Sequence, residues 1–173
     1  VVATQAARLY TWTETNFKAE AESLRLFYRD PAASAQPGET CQVTAPAAEA
    51  IHGRVAFSGA VWFRPDYRNR GLQYNLPRLS RLIAFTRWYT DVTLSIMAEN
   101  VARAGTAERA GYRHVDWEVQ LTNSPVGTVR CALIWMPRDE MLSDLADFAG
   151  RPDPQVDPVV AERAAEHQAL AAR

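Results

Sequence analysis

The chain has 173 residues, 47% apolar and 23% charged, with a formal net charge of −1. These totals fit one globular domain with a real core; the balanced charge supplies no field for nucleic acid, and no apolar run approaches the roughly 20 residues of a membrane span. The opening VVATQAARLYTW, residues 1–12, is β-branched and aromatic at both ends and reads as a strand. Asn16 caps a helix expected from Phe17 to about Phe27, with Phe17, Ala21, Leu24 and Phe27/Tyr28 at helical spacing. Residues 30–39, DPAASAQPGE, read as loop, and 40–45 as a short strand followed by a turn or single helical turn.

RVAFSGAVWF, residues 54–63, is the strongest strand, and its Ser58-Gly59 pair signals a bulge or a close backbone approach. A helix follows over about 72–88, with Leu72, Leu76, Leu79, Ile83 and Trp88 on its apolar face. Pro77 removes one helical N–H there and is expected to kink the chain, with Asn75 available to cap a restarted helix. Next come a strand at 92–98 and a helix at 101–110 ended by Gly111. Strands at 112–121 and 129–136 are joined by the turn-rich TNSPVG, and Pro137 opens a helix to about Phe148. Residues 1–150 therefore read as the domain. Residues 151–173 read as a linker and an Ala-rich helical tail.

Between the strongest strand and the longest helix lies RPDYRNRGLQYN, residues 64–75. A strand, a short basic loop with glycine and then a helix aim unpaired N–H groups and a helix dipole at one place, which favours a phosphate. The glycine lets the backbone approach a ligand, and Arg68 and Arg70 can add charge-assisted bonds. The stretch is neither a P-loop nor the dinucleotide glycine fingerprint. The competing reading is a loop whose arginines simply face water.

The arrangement of Arg68-Asn69-Arg70-Gly71-Leu72-Gln73 after an apolar strand resembles the pyrophosphate motif of the GNAT superfamily of acyl-CoA-dependent N-acyltransferases. TLSIMAENVARAGTAERAGYRHV is similar to that family's next strand and helix, with Asn100 and Gly111-Tyr112 at the family spacing. The resemblance spans about residues 1–136 and is specific over 54–115. It implies an α/β fold: a mixed, mostly antiparallel sheet with a central splayed parallel pair and flanking helices. It implies acetyl-CoA or another acyl-CoA as co-substrate, an amine as acceptor, and direct transfer in a ternary complex. Carried over by position, the pyrophosphate cradle is Arg68, Asn69, Arg70, Gly71, Leu72 and Gln73. Phe63 and Arg64 lie beside the pantetheine, and Asn100 approaches the thioester. The chain departs from the family at Gln73, where a small residue is usual, and at Ala107, where a tyrosine acid is frequent. The family's first strand and two helices have no counterpart before Val1, so the N-terminal elements read as lacking.

Acyl transfer needs a base for the amine, a donor for the developing oxyanion and an acid for the thiolate. Glu99, Ser95 and Asn100, at the end of the 92–98 strand, are the catalytic candidates; Glu99 reads equally as a solvated helix-start acid. Thr106 and Tyr112 are the nearby hydroxyls. His52, His114 and His167 have no metal or nucleophile partner at a recognisable spacing, so no metal is expected. Cys41 and Cys131 read as buried reduced thiols. The five tryptophans, Trp12, Trp62, Trp88, Trp117 and Trp135, read as core. No leader of basic residues and a long apolar block is visible, and the sequence lacks an initiator Met; the expected location is cytoplasmic. A homodimer is compatible with all of this. The alternative is a non-catalytic acyl-CoA-binding or partner-binding domain of the same fold, suggested by Ala107 and the altered glycine motif.

Overall fold

The computed structural model describes residues 1–68 and 70–150; Asn69 and the 151–173 tail, with His167, lie outside the described residues. Six strands form one sheet: β1 (Ala3–Trp12), β2 (Thr40–Val43), β3 (Gly53–Phe63), β4 (Val92–Ala98), β5 (His114–Ser124) and β6 (Gly127–Pro137). Their order is β1-β3-β4-β6-β5-β2. Every pairing is antiparallel except β3 with β4. The parallel pair is short: Val55, Ala56 and Phe57 face Val92, Thr93 and Leu94, and pairing then ends although both strands continue.

Helices cover both faces. Residues α1 (Phe17–Glu22) and α2 (Pro31–Ser34) lie after β1. The first core joins Trp12, Phe17 and Ala21 to Val43, Val55, Leu94, Val119 and Leu133. On the opposite face stand α3 (Leu72–Trp88), α4 (Glu99–Arg103), α5 (Thr106–Arg109) and α6 (Arg138–Ala149). There the core gathers Ala107, Tyr112, Ala132, Ile134, Met136 and Met141. Cys41 and Cys131 are both free and buried. Among the described residues no helix is long and apolar enough to cross a membrane.

All six expected strands form, but several helices differ from expectation. The first stops at Glu22 rather than Phe27, because Leu24 takes a left-handed φ of 62° and still reaches the core. The 30–39 stretch is not all loop: Asp30 caps the single turn α2 by accepting from the Ala33 N–H. The expected 101–110 helix is split into α4 and α5 by Gly105, whose φ is 75°. Gly111 does end α5 as anticipated, with φ 89°. Pro77 does not divide its helix; α3 runs unbroken from Leu72 to Trp88 and no restart at Asn75 occurs.

The largest difference concerns the face of α3. Leu79 and Ile83, which periodicity assigns to the core side, are exposed, Ile83 by 63%. The helix instead buries Pro77, Arg78, Arg81 and Ala84. The physical reason is Asp144 of α6. Arg78 Nη2 lies 2.9 Å from its Oδ1, and Arg81 Nη2 lies 3.0 Å from its Oδ2. Arg78 also donates to the Tyr74 and Arg109 carbonyls, and Arg81 to that of Ala110. Paired in this way, guanidinium groups can be buried where unpaired ones could not.

Candidate active site

Where β3 and β4 part, an apolar cleft of about 360 Å³ opens. This is a volume typical of small-molecule sites. Its β3 wall includes Ser58, Gly59, Ala60, Val61 and Phe63, and its β4 wall runs from Ser95 to Ala98. The β3 wall is bulged: Thr4 and Ala6 of β1 face Trp62 and Gly59, so β3 carries one extra residue, and Ala60 has φ 50°. The Ser58-Gly59 signal in the sequence thus falls directly before the irregularity. Gln73 and Pro77 of α3, with Thr106, Ala110 and Tyr112, close the helix side. Because Pro77 has no N–H, the Gln73 carbonyl loses its helical donor at the cleft wall.

Two polar atoms in this cleft are buried without a partner among the described residues, Ser58 Oγ and Gln5 Oε1. A buried polar atom left unpaired is costly, so such atoms mark places where a ligand's own polar groups fit. Sequence reasoning noted Ser58 only as part of a bulge and missed Gln5. Nothing local could have found Gln5, since β1 reaches the cleft only through its pairing with β3.

The basic loop lies at the end of β3. Arg64 forks onto Asp66, donating from Nε at 2.7 Å and from Nη2 at 2.9 Å. Arg64 and Arg70 both approach the ring of Tyr67, at 4.4 and 5.0 Å from its centroid. Arg68 Nε donates to the Phe63 carbonyl at 3.3 Å. Gly71 holds the N-terminal boundary of α3 in the left-handed region, φ 75°, with no side chain capping the helix. The first amides of a 17-residue helix are therefore not consumed by a capping side chain. Arg64, Arg68, Arg70, Gly71, Leu72 and Gln73 are thus contiguous at one helix start; Asn69 lies outside the described residues.

The catalytic candidates do not gather at one point. Ser95 lines the cleft, as do Phe63 and Gln73. Glu99 and Asn100 open α4 and line a neighbouring, more open groove with Arg103, Thr128, Val129 and Arg130. Arg103 donates to Glu99 Oε1 from Nε at 2.9 Å and from Nη2 at 2.6 Å, and Arg130 Nε lies 3.7 Å from Oε2. The Arg103 hydrogen bonds, helped by the Arg130 charge, hold the Glu99 carboxyl below the ordinary carboxylate range. A carboxylate so stabilised is a weak base. Thr106 and Tyr112 both reach the cleft wall.

His114 Nε2 lies 2.9 Å from Glu140 and its ring stacks on Trp135 at 4.2 Å. Among the described residues no cluster of three His, Cys, Asp or Glu could hold a metal ion. Of the tryptophans, Trp12 is core, whereas Trp62 is 45% exposed at the end of β3.

One strand order, one parallel pair that splays, a bulge on its first strand and a helix start at its end together fix the architecture. The fold is α/β: a mixed, mostly antiparallel sheet with a central splayed parallel pair and flanking helices. No family model matches the sequence, and no curated protein matches it. Among solved structures, the chain is similar to a spermidine N-acetyltransferase SpeG chimera from Vibrio cholerae and hSSAT, at 14% identity and TM-score 0.41, over 69% of this chain and 78% of that one. It is also similar to the aminoglycoside acetyltransferase AAC(6')-Ib in complex with coenzyme A and kanamycin, at 14% identity and TM-score 0.40, over 81% and 98% of the two chains. A spermidine N-acetyltransferase from Vibrio cholerae in complex with CoA and spermine matches at 12% identity and TM-score 0.40, over 79% and 98%.

Proposed function

We propose that this chain is an N-acyltransferase that moves an acetyl or other acyl group from acyl-CoA to an amine. The observation that carries the reading is the continuity of one path. The cleft opened by the β3–β4 splay runs beside Phe63 toward a loop of three arginines at an uncapped helix start. An anion belongs at the loop, and an extended, mostly apolar arm with a few amides suits the cleft. Acyl-CoA has that chemistry: pyrophosphate, pantetheine, thioester. Ser58 Oγ and Gln5 Oε1 would meet the polar groups of the arm or of the acceptor.

In the reaction the neutral amine adds to the thioester carbon, the tetrahedral intermediate expels the thiolate, and the amine proton leaves. Both substrates held together need no covalent enzyme intermediate. Ser95, Thr106 and Tyr112 are the hydroxyls available to protonate the thiolate. Asn100 and Glu99 line the neighbouring groove, from which Glu99 would act through water. A cytoplasmic location and a tail at 151–173 separate from the catalytic domain belong to the same reading.

A second reading, acyl-CoA binding without catalysis, draws on the commitment of Glu99 to two arginines. Two measurements separate them. Calorimetric titration of acetyl-CoA should give binding that Gly71→Glu weakens by roughly tenfold or more, because the new side chain brings a carboxylate and a strained φ to the anion seat. Arg70→Glu should act likewise without the strain. Thiol release with a panel of amines then decides between transfer and binding alone. Failure of the folded wild type to bind acetyl-CoA would sink both.

A further inference from the structure

The groove beside the cleft carries a charge pattern that the transfer chemistry alone does not require. The two spaces share a wall: Val101 of α4 lines the cleft, while Asn100 and Arg103 of the same helix line the groove. The sheet joins them as well, because Ala98 at the cleft pairs with Cys131, the neighbour of Arg130. A molecule that enters the cleft amine-first can leave its other end in the groove.

No Asp, Glu, Lys or Arg stands among the described residues of the cleft wall. The charge is in the groove, where Arg103 and Arg130 face one carboxylate, Glu99. Arg103 is fixed twice. Its Nε and Nη2 both donate to Glu99 Oε1, and its guanidinium lies 4.8 Å from the centre of the Trp117 ring. Arg130 is less committed. Its Nε is 3.7 Å from Glu99 Oε2, too far for a hydrogen bond, and its guanidinium donates to no other group among the described residues. Two cations against one anion leave the groove positive, with a guanidinium fork open to a carboxylate. A polycationic amine would meet repulsion there and find no carboxylate in the cleft.

The weak basicity of Glu99 points the same way. Hydrogen-bonded by Arg103, its carboxyl sits below the ordinary carboxylate range and removes a proton poorly. An alkylamine, with a pKa of about 10.4, is almost wholly protonated at neutral pH, whereas a peptide α-amino group, at about 8, is already partly neutral.

We propose, resting on the acyltransferase reading, that Arg130 together with Arg103 seats a carboxylate of the acceptor, and that the acceptor is the α-amine of a free amino acid or a short acidic peptide. The step balances without another reactant. The neutral amine nitrogen bonds the acyl carbon, the C–S bond breaks, and the amine proton ends on the coenzyme A thiol.

The test is thiol release at saturating acetyl-CoA by wild type, Arg130→Glu and Arg130→Lys. The acceptors are glutamate, alanyl-glutamate, the fully amidated form of each, and putrescine. Wild type should prefer an acid over its own amide by roughly tenfold or more in kcat/KM, with putrescine poorest. The two acids separate a free amino acid from a peptide. Arg130→Glu should erase the preference, through KM rather than kcat, and Arg130→Lys should restore part of it. The Arg130 side chain is 67% exposed, so circular dichroism should show both variants folded. A wild type indifferent to amidation, a ratio that Arg130→Glu leaves unchanged, or a preference for putrescine overturns the proposal while the acyltransferase reading stands. No thiol release with any of these amines removes that reading, and this proposal with it.

Discussion

Asp144 accepts from two guanidinium groups at once, and its position explains why two arginines can occupy the inner face of α3. Arg81 has no exposed side-chain surface and Arg78 only 8%. Two cations share one carboxylate, and Arg81 Nε and Nη1 find no partner among the described residues. The ring of Tyr112 lies 4.9 Å from the Arg81 guanidinium and that of Phe148 lies 4.6 Å from Arg78, which softens the imbalance. Replacing Asp144 by Ala leaves two buried charges uncompensated and should cost about 3–5 kcal/mol in urea unfolding. Leu79→Ala, on the exposed side of α3, should change stability by less than about 0.5 kcal/mol. Equal effects would remove the cluster as the anchor of α3. The cluster also gives Gly111 a second role: a Cβ there would stand 2.5 Å from Asp144 Oδ2 and 2.6 Å from Arg78 Nη2. The sequence suggests Gly111 as a helix stop, but not this crowding, because Asp144 is 33 positions away.

At the scale of elements, legibility divided along what is local. β-Branched and aromatic runs placed all six strands, since their signal lies within each segment. The basic loop was legible through the strand-loop-helix order around Gly71, and the splayed pair only through the family resemblance. The orientation of α3 was not: its apolar period is genuine, but a helix can turn an apolar stripe outward when a distant carboxylate offers its arginines a better partner. The same distance hid Gln5, and the split at Gly105 was hidden by the good helix formers on both sides. Pro77 supplies a test within α3. Inside a helix it costs about 3 kcal/mol relative to Ala, chiefly because the Gln73 carbonyl loses its donor. Its ring is buried, so truncation returns part of that gain. Pro77→Ala should therefore stabilise the protein by about 1–2 kcal/mol, read as a higher urea midpoint at unchanged m-value. A lower midpoint would mean that ring packing outweighs the helical hydrogen bond.

Over the whole molecule, ionisation in the first core should shape stability at both ends of the pH range. Glu20 is nearly buried and is held below the ordinary carboxylate range, first by hydrogen bonds from Arg25, at 2.8 and 3.2 Å, and then by Thr15 at 2.9 Å. Burial opposes these without cancelling them. A carboxyl whose folded pKa is depressed stabilises above its unfolded value and loses that contribution as pH falls through the folded one. The acid limb should therefore begin below pH 4.5, the ordinary value, and Glu20→Gln should flatten it. The alkaline limb has the opposite sign. Burial, with the neighbouring Cys131 thiol second, pushes Cys41 from 9.0 up to about 12. Folding then favours the neutral thiol, so stability is complete below pH 9 and declines as pH rises toward 12. Three units correspond to on the order of 4 kcal/mol, a large part of what a domain this size holds. Urea unfolding from pH 8 to about 11 should show a falling midpoint in the wild type and a shallower fall in Cys41→Ala. Thiol labelling gives the independent reading, because only the thiolate reacts. Cys41 and Cys131 should resist labelling in the native protein near neutral pH and react once urea exposes them. Rapid native labelling at pH 8 would mean that the β2–β5 edge opens readily, and the alkaline limb would then report that opening instead of the buried thiol.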